Sequence, residues 1–170
     1  SASSVVKLLV DIVSKNGNLL LSVPLRADGT FDEKEEKILN EFGAWMNVNK
    51  EAIYDTHPWK VFGEGPIAYS DIKINAQGFN EGSYTNATAA EKRFTQTNKA
   101  LYVTMLAWPK ESKVTIKSLA LGNALYPQKI KQVELLGYGK IPFSRTHEGL
   151  TVTLPSKHSD KIAPVIKTKK

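Results

Sequence analysis

The sequence predicts two unlike parts: an α/β unit that is incomplete by itself, then an all-β antiparallel sandwich. Three observations carry this. Residues 4–50 read as helix, strand, helix, with one apolar run between two amphipathic stretches. That run has no counterpart elsewhere in the chain. From Lys92 onward, short strand-like segments alternate with turn residues.

The first helix is expected over "SVVKLLVDIVSK", where Val5, Leu8, Leu9, Ile12 and Val13 fall at helical spacing. Ser3 or Ser4 can cap it, and Asn16-Gly17 stops it. "NLLLSVPL" is a short continuous apolar run, as in a strand buried on both faces. In the second helix Ile38, Leu39, Phe42, Trp45 and Met46 form an apolar face. Asp32 with Glu35 three residues on is a capping-box pattern, and acidic residues crowd the first turns, where the helix dipole favours them.

A single apolar strand between two helices leaves its backbone groups without partners. Parallel neighbours would each need a crossover helix, and nothing else in the chain repeats the pattern. The α-β-α unit therefore reads as the tail of a larger α/β domain whose other strands lie outside this sequence. The competing reading is a small α+β domain in which this strand joins the later ones.

Residues 51–66 read as a connector punctuated by Pro58, Gly63, Gly65 and Pro66. "NAQGFNEGSYTNATAAE" reads as a loop or insertion. "KRFTQ" and "ALYVTMLAW" flank a "TNK" turn, and "KVTIKSLAL", "IKQVELLG", "LTVTLP" and "IAPVIK" complete the sandwich pattern. The last strand is expected to end near Ile166, with "KTKK" as a frayed tail. The resulting organisation is an α/β segment over 1–50, a connector over 51–66 and a β-sandwich over 67–170.

The 170 residues are 41% apolar and 24% charged, a globular composition. No apolar run approaches the roughly 20 residues of a membrane helix, so no membrane partner is expected. Lys7 and Asp11 interrupt the N-terminal apolar residues, so no signal peptide is read there. The absence of cysteine excludes disulfides and thiolate sites. A net charge of +6 is spread along the chain rather than gathered with aromatics, so no nucleic-acid partner is expected.

Chemical motifs are sparse. The stretch of residues 15–30 lacks the G-x-x-x-x-G-K-[ST] spacing of a phosphate loop, and there is no dinucleotide fingerprint or Gly-x-Ser-x-Gly elbow. His57, His147 and His158 have no metal-ligand spacing and read as loop histidines, so neither metal nor cofactor is expected. Asp11 lies on the first helix and Asp28 in a turn, which does not make a catalytic pair. The C-terminal end of a parallel strand is where α/β barrels place functional groups, so Ser22, Arg26 and Asp28 are candidate ligand-facing residues. Against this stand a small packing residue, a solvated arginine and an Asp-Gly turn. Asn86 begins an Asn-x-Thr acceptor triplet. Tyr102, Trp108, Tyr126 and Tyr138 invite a sugar-stacking role. Tyr102 and Trp108, an even number apart on one expected strand, would share a face, and core packing is the favoured role.

These residues resemble the end of the catalytic domain of α-L-fucosidases, glycoside hydrolase family 29. The matching features are residues 13–21 (Val-Ser-Lys-Asn-Gly-Asn-Leu-Leu-Leu), Asp28-Gly29-Thr30, Gly43 with Trp45, residues 51–59 and "KVFGEGP". "RFTQTNKALYVTMLAWP" and "VELLG" resemble the family's C-terminal β-sandwich. The resemblance implies that helix, strand and helix are the last such unit of a (β/α)8-like barrel. It implies a retaining mechanism with an aspartate nucleophile and a second carboxyl as acid/base, both upstream of the matched region. No catalytic residue falls in this chain, which alone would be inactive. The implied substrate is a fucosylated glycan, the implied partner the missing N-terminal barrel portion, and the implied location periplasmic or secreted. The alternative is a non-catalytic carbohydrate-binding or structural β-sandwich module. The sequence departs from the family pattern at Ser22-Val23-Pro24-Leu25, where Asn-x-Gly-Pro is common, and at Lys50, where Asn-Gly-Glu is common.

Overall fold

The computed structural model describes residues 1–68, 87–158 and 162–169. Two helices cover one face of a six-stranded antiparallel sheet, and a three-stranded antiparallel sheet covers the other.

Helix α1 spans Ala2–Ser14. Its cap is Ser1, whose Oγ accepts from the Ser4 amide, so the helix begins earlier than the Ser3 or Ser4 cap expected. It stops as expected. Asn16 takes the left-handed conformation at φ 67°, the Gly17 amide donates to Ile12 O and the Asn16 amide to Val13 O. This is the paired C-terminal closure that satisfies the last carbonyls. A side chain on Gly17 would meet the Ile12 side chain at 2.8 Å, so glycine fits there. Helix α2 spans Glu33–Asn49 and is capped by Asp32, whose Oδ1 accepts from the Lys34 and Glu35 amides.

The apolar run between the helices is not a strand in this chain. Residues 17–26 hold no sheet pairing, and Leu20 is 94% exposed. The α+β alternative, in which this run joins the later strands, is thereby set aside.

Among the described residues the nine strands are β1 (His57–Glu64), β2 (Lys92–Gln96), β3 (Ala100–Met105), β4 (Lys113–Ile116), β5 (Gln132–Leu135), β6 (Gly139–Lys140), β7 (Phe143–Thr146), β8 (Gly149–Thr153) and β9 (Val165–Lys169). The large sheet runs β1-β2-β3-β9-β5-β6 and the small one β4-β8-β7. Three expectations change here. The connector contains β1, the edge strand beside β2, which also places His57 in a strand. Pro58 is tolerated at that edge, and the register shifts between Pro58 and Gly63. The tail is not frayed: β9 continues to Lys169 in the middle of the sheet, between β3 and β5. Tyr102 and Trp108 do not share a face, because β3 ends at Met105 and the chain bends before Trp108.

Strand β3 is buried throughout because both its faces are covered. Leu101, Val103 and Met105 enter the core between the sheets, with Phe94, Ile166, Val133, Ile116, Leu150 and Val152. Ala100 and Tyr102 enter the second core, under the helices, with Val6, Leu9, Val10, Trp45 and Val165. The Trp45 indole donates to Ala163 O at 2.9 Å and so ties α2 to the segment entering β9. Trp59 meets Phe94 edge-on at 5.0 Å between ring centres. The "TNK" turn forms as expected: the Thr97 amide donates to Ala100 O, and Thr97 Oγ1 accepts from the Lys99 and Ala100 amides. The loop at residues 75–91 lies mostly, and Asn86 wholly, outside the described residues.

Candidate functional site

The sequence points to the stretch after the apolar run, and the structure builds a turn there. The Arg26 amide donates to Thr30 O and the Gly29 amide to Arg26 O, with Gly29 at φ 83°. Asp28 Oδ1 accepts from the Thr30 hydroxyl at 2.7 Å and from the Thr30 amide at 3.0 Å. Those two bonds, the hydroxyl first, hold the Asp28 carboxyl below its ordinary pKa. Arg26 and Asp28 thus share one turn. Ser22 takes no part in it, and all three side chains are exposed.

Ser22, Arg26 and Asp28 do not line the neighbouring cleft of about 660 Å³, whose walls include Leu9, Val13, Leu19, Phe42, Met46 and Tyr54. The cleft is apolar on its helical walls. Leu20, Leu21 (39% exposed), Leu25 (57%) and Phe31 extend the apolar surface outward. Singly exposed leucines are ordinary, but a run of them on an unpaired backbone marks a face built for burial.

Behind α1 sits a buried ionic cluster that the sequence reading does not single out. Arg93 Nε donates to Asp11 Oδ1 at 2.6 Å, Lys15 pairs with Asp11 Oδ2 at 2.8 Å, and Arg93 Nη1 reaches Glu91 Oε2 at 3.4 Å. Glu91 Oε1 also accepts from the Ile67 amide at 2.7 Å. Phe62 lies under both cations. Nearby on α1, burial pulls the Lys7 ammonium below its ordinary pKa, and it donates to Ala87 O at 3.5 Å. One signal was available: Asp11 interrupts an apolar helix face and Arg93 sits beside Phe94 in a strand, and a buried charge requires a partner.

This arrangement positions side chains but does not assemble a pair of free carboxylates. Asp11 is committed to Arg93 and Lys15, Asp28 to Thr30, and Asp32 to the amides that begin α2. Glycoside hydrolysis needs two carboxyl groups flanking one bond, one to protonate the leaving group and one to attack or to activate water. Among the described residues, no group of three or more His, Asp or Glu side chains is disposed to hold a metal ion.

Two family models match the chain: "Alpha-L-fucosidase" over residues 1–51 and "Alpha-L-fucosidase C-terminal domain" over residues 86–169. The plasma alpha-L-fucosidase of Rattus norvegicus is 32% identical over 153 residues, covering 88% of this chain and 28% of the relative. The crystal structure of Thermotoga maritima alpha-fucosidase in complex with fucose superposes with a TM-score of 0.72 at 28% identity. It covers 99% of this chain and 34% of that one. The same enzyme with a mechanism-based inhibitor gives a TM-score of 0.73 at 27% identity, with 100% and 34% covered. The chain therefore spans about a third or less of the length of these relatives.

Proposed function

Because the chain belongs to the α-L-fucosidase family, glycoside hydrolase family 29, we propose that it is the C-terminal part of an exo-acting retaining α-L-fucosidase. The parent enzyme hydrolyses terminal α-L-fucosyl residues from glycans. On this reading α1, residues 18–25 and α2 are the last helix, strand and helix of a (β/α)8-like barrel, and the sandwich braces it from outside. The sandwich domain reaches back to include β1, because β1 pairs with β2.

The observation that carries the reading is the unpaired apolar run. It lies within the segment matched by the first family model, between two helices, and shows Leu20 to solvent. A barrel strand deprived of its neighbours would present itself this way. The rim candidates Ser22, Arg26 and Asp28 then form part of the wall at the C-terminal face, where barrel enzymes hold substrate. The nucleophile and the acid/base lie on the portion that precedes these residues in the parent. That portion is this chain's implied partner. A periplasmic or extracellular location follows from the family and is part of the proposal.

An assay with an aryl α-L-fucoside tests the reading. The complete parent is expected to release the phenol, and the 170-residue chain is expected to release none. A parent without activity would refute the enzyme assignment. Turnover by the chain alone would refute the placement of catalysis upstream.

A further inference from the structure

Between the segment entering β2 and the turn after β3 lies a groove of about 600 Å³, a size typical of small-ligand sites. Its walls are unlike those of the interhelical cleft. One side is Ala89 and Ala90, whose small side chains leave a smooth surface. The other is Trp108, Lys110 and Glu111, and the floor reaches Lys113 and Thr115 on β4.

Three features give this groove a chemistry. Lys110 and Lys113 make no ion pair among the described residues, whereas Lys92, which also borders the groove, is held by Glu64 at 3.2 Å. Glu111 is exposed on the same wall and can accept hydroxyl donors. The Trp108 ring, which lines the groove, stacks on His158 at 3.4 Å between centres. Thr115 adds a hydroxyl, itself bonded to Thr151 Oγ1 at 2.9 Å. Two unpaired ammonium groups, one carboxylate and one hydroxyl suit a ligand with many hydroxyls and an acidic substituent.

We infer that this groove binds an acidic sugar residue of a glycan, such as a sulfated one, at a site on the sandwich. The lysines take the acidic group, and Glu111 and Thr115 take ring hydroxyls. The groove stands independently of the barrel reading; only the choice of fucose as the sugar follows from it.

Calorimetric titration of the 170-residue chain with a sulfated fucan tetrasaccharide tests the inference. Its desulfated counterpart and sodium sulfate serve as the two controls. The sulfated sugar is expected to bind, and each control to bind at least about tenfold more weakly, the loss of one charge-assisted contact. The surface variant Lys110→Ala/Lys113→Ala is expected to lose about tenfold or more in affinity with an unchanged circular-dichroism spectrum, on the same arithmetic. No binding, equal binding of sodium sulfate, or unchanged affinity in the double-lysine variant would each overturn the inference. Hydrolysis plays no part in this readout, so its failure and that of the fucosidase assignment are separable.

Discussion

Arg93 Nε lies 2.6 Å from Asp11 Oδ1, both side chains buried, and this contact joins helix α1 to strand β2. It holds the segment matched by the catalytic family model against the segment matched by the C-terminal one. The pair is therefore the polar counterpart of the apolar core under the helices. Removing Arg93 leaves Asp11 with Lys15 as its ion-pair partner, and removing Asp11 leaves Arg93 with Glu91.

Asp11→Asn or Arg93→Met is expected to lower unfolding free energy by about 3–5 kcal/mol, the range for breaking a buried pair. The double variant Asp11→Leu/Arg93→Met is expected to lose less than the sum, because the two side chains interact directly and each single variant already removes that contact. Urea unfolding monitored by tryptophan fluorescence measures all three. Additive losses would show that the pair is not coupled.

Arg145 on β7 organises the long crossing between β4 and β5. Its guanidinium donates to the carbonyls of Leu119, Ala120, Tyr126 and Gln128 at 2.6–3.1 Å. Lysine has the charge but not the planar fork. Arg145→Lys is expected to cost about 2–4 kcal/mol, from two or more charge-assisted bonds left unmade. Faster amide exchange confined to residues 117–131 is expected alongside the lowered melting temperature. Unaltered exchange there would contradict the role.

Tyr102 supplies a pH test. Its hydroxyl donates to Glu51 Oε2 at 3.3 Å. Burial first, then the Glu51 charge and this hydrogen bond, push its pKa up to about 12. A folded value above the ordinary 10 means that the neutral form is favoured in the folded state. The associated stability is complete below pH 10 and is lost as pH rises toward 12. Absorbance near 295 nm is expected to show one tyrosine ionising about two units late, and Tyr102→Phe is expected to remove that late step. A late step that survives in Tyr102→Phe would assign it elsewhere.

Much of this fold is legible in the residues, and the exceptions have physical causes. The two helices follow from apolar spacing, the start of α2 from Asp32 and the stop of α1 from Asn16-Gly17, because those signals are local, whereas α1 is capped by Ser1 and not by Ser3 or Ser4. Strand β1 is obscured by Pro58 and Gly63, which an edge strand tolerates and a central one does not. Strand β9 is obscured by its lysines. Lys167 and Lys169 look like a solvated tail until Glu51 and Glu134 are placed opposite them by the tertiary structure. Even so, Ile166 and Thr168 alternate with those lysines at the strand period, which is the signal that was available. The apolar run over residues 19–21 has the composition of a buried strand yet forms no strand here. At the candidate site, the Asp28-Gly29 turn is readable from its dipeptide. The Arg93–Asp11 contact is not, since 82 residues separate the partners.

The central claim is that residues 18–25 are a barrel strand lacking its neighbours. Amide hydrogen exchange at Leu19, Leu20 and Leu21, measured in the 170-residue chain and in the complete parent, tests it most directly. The account predicts rapid exchange in the chain, where these amides have no ladder, and strong protection in the parent, where adjacent strands would accept their hydrogen bonds. Equal, rapid exchange in both would contradict it.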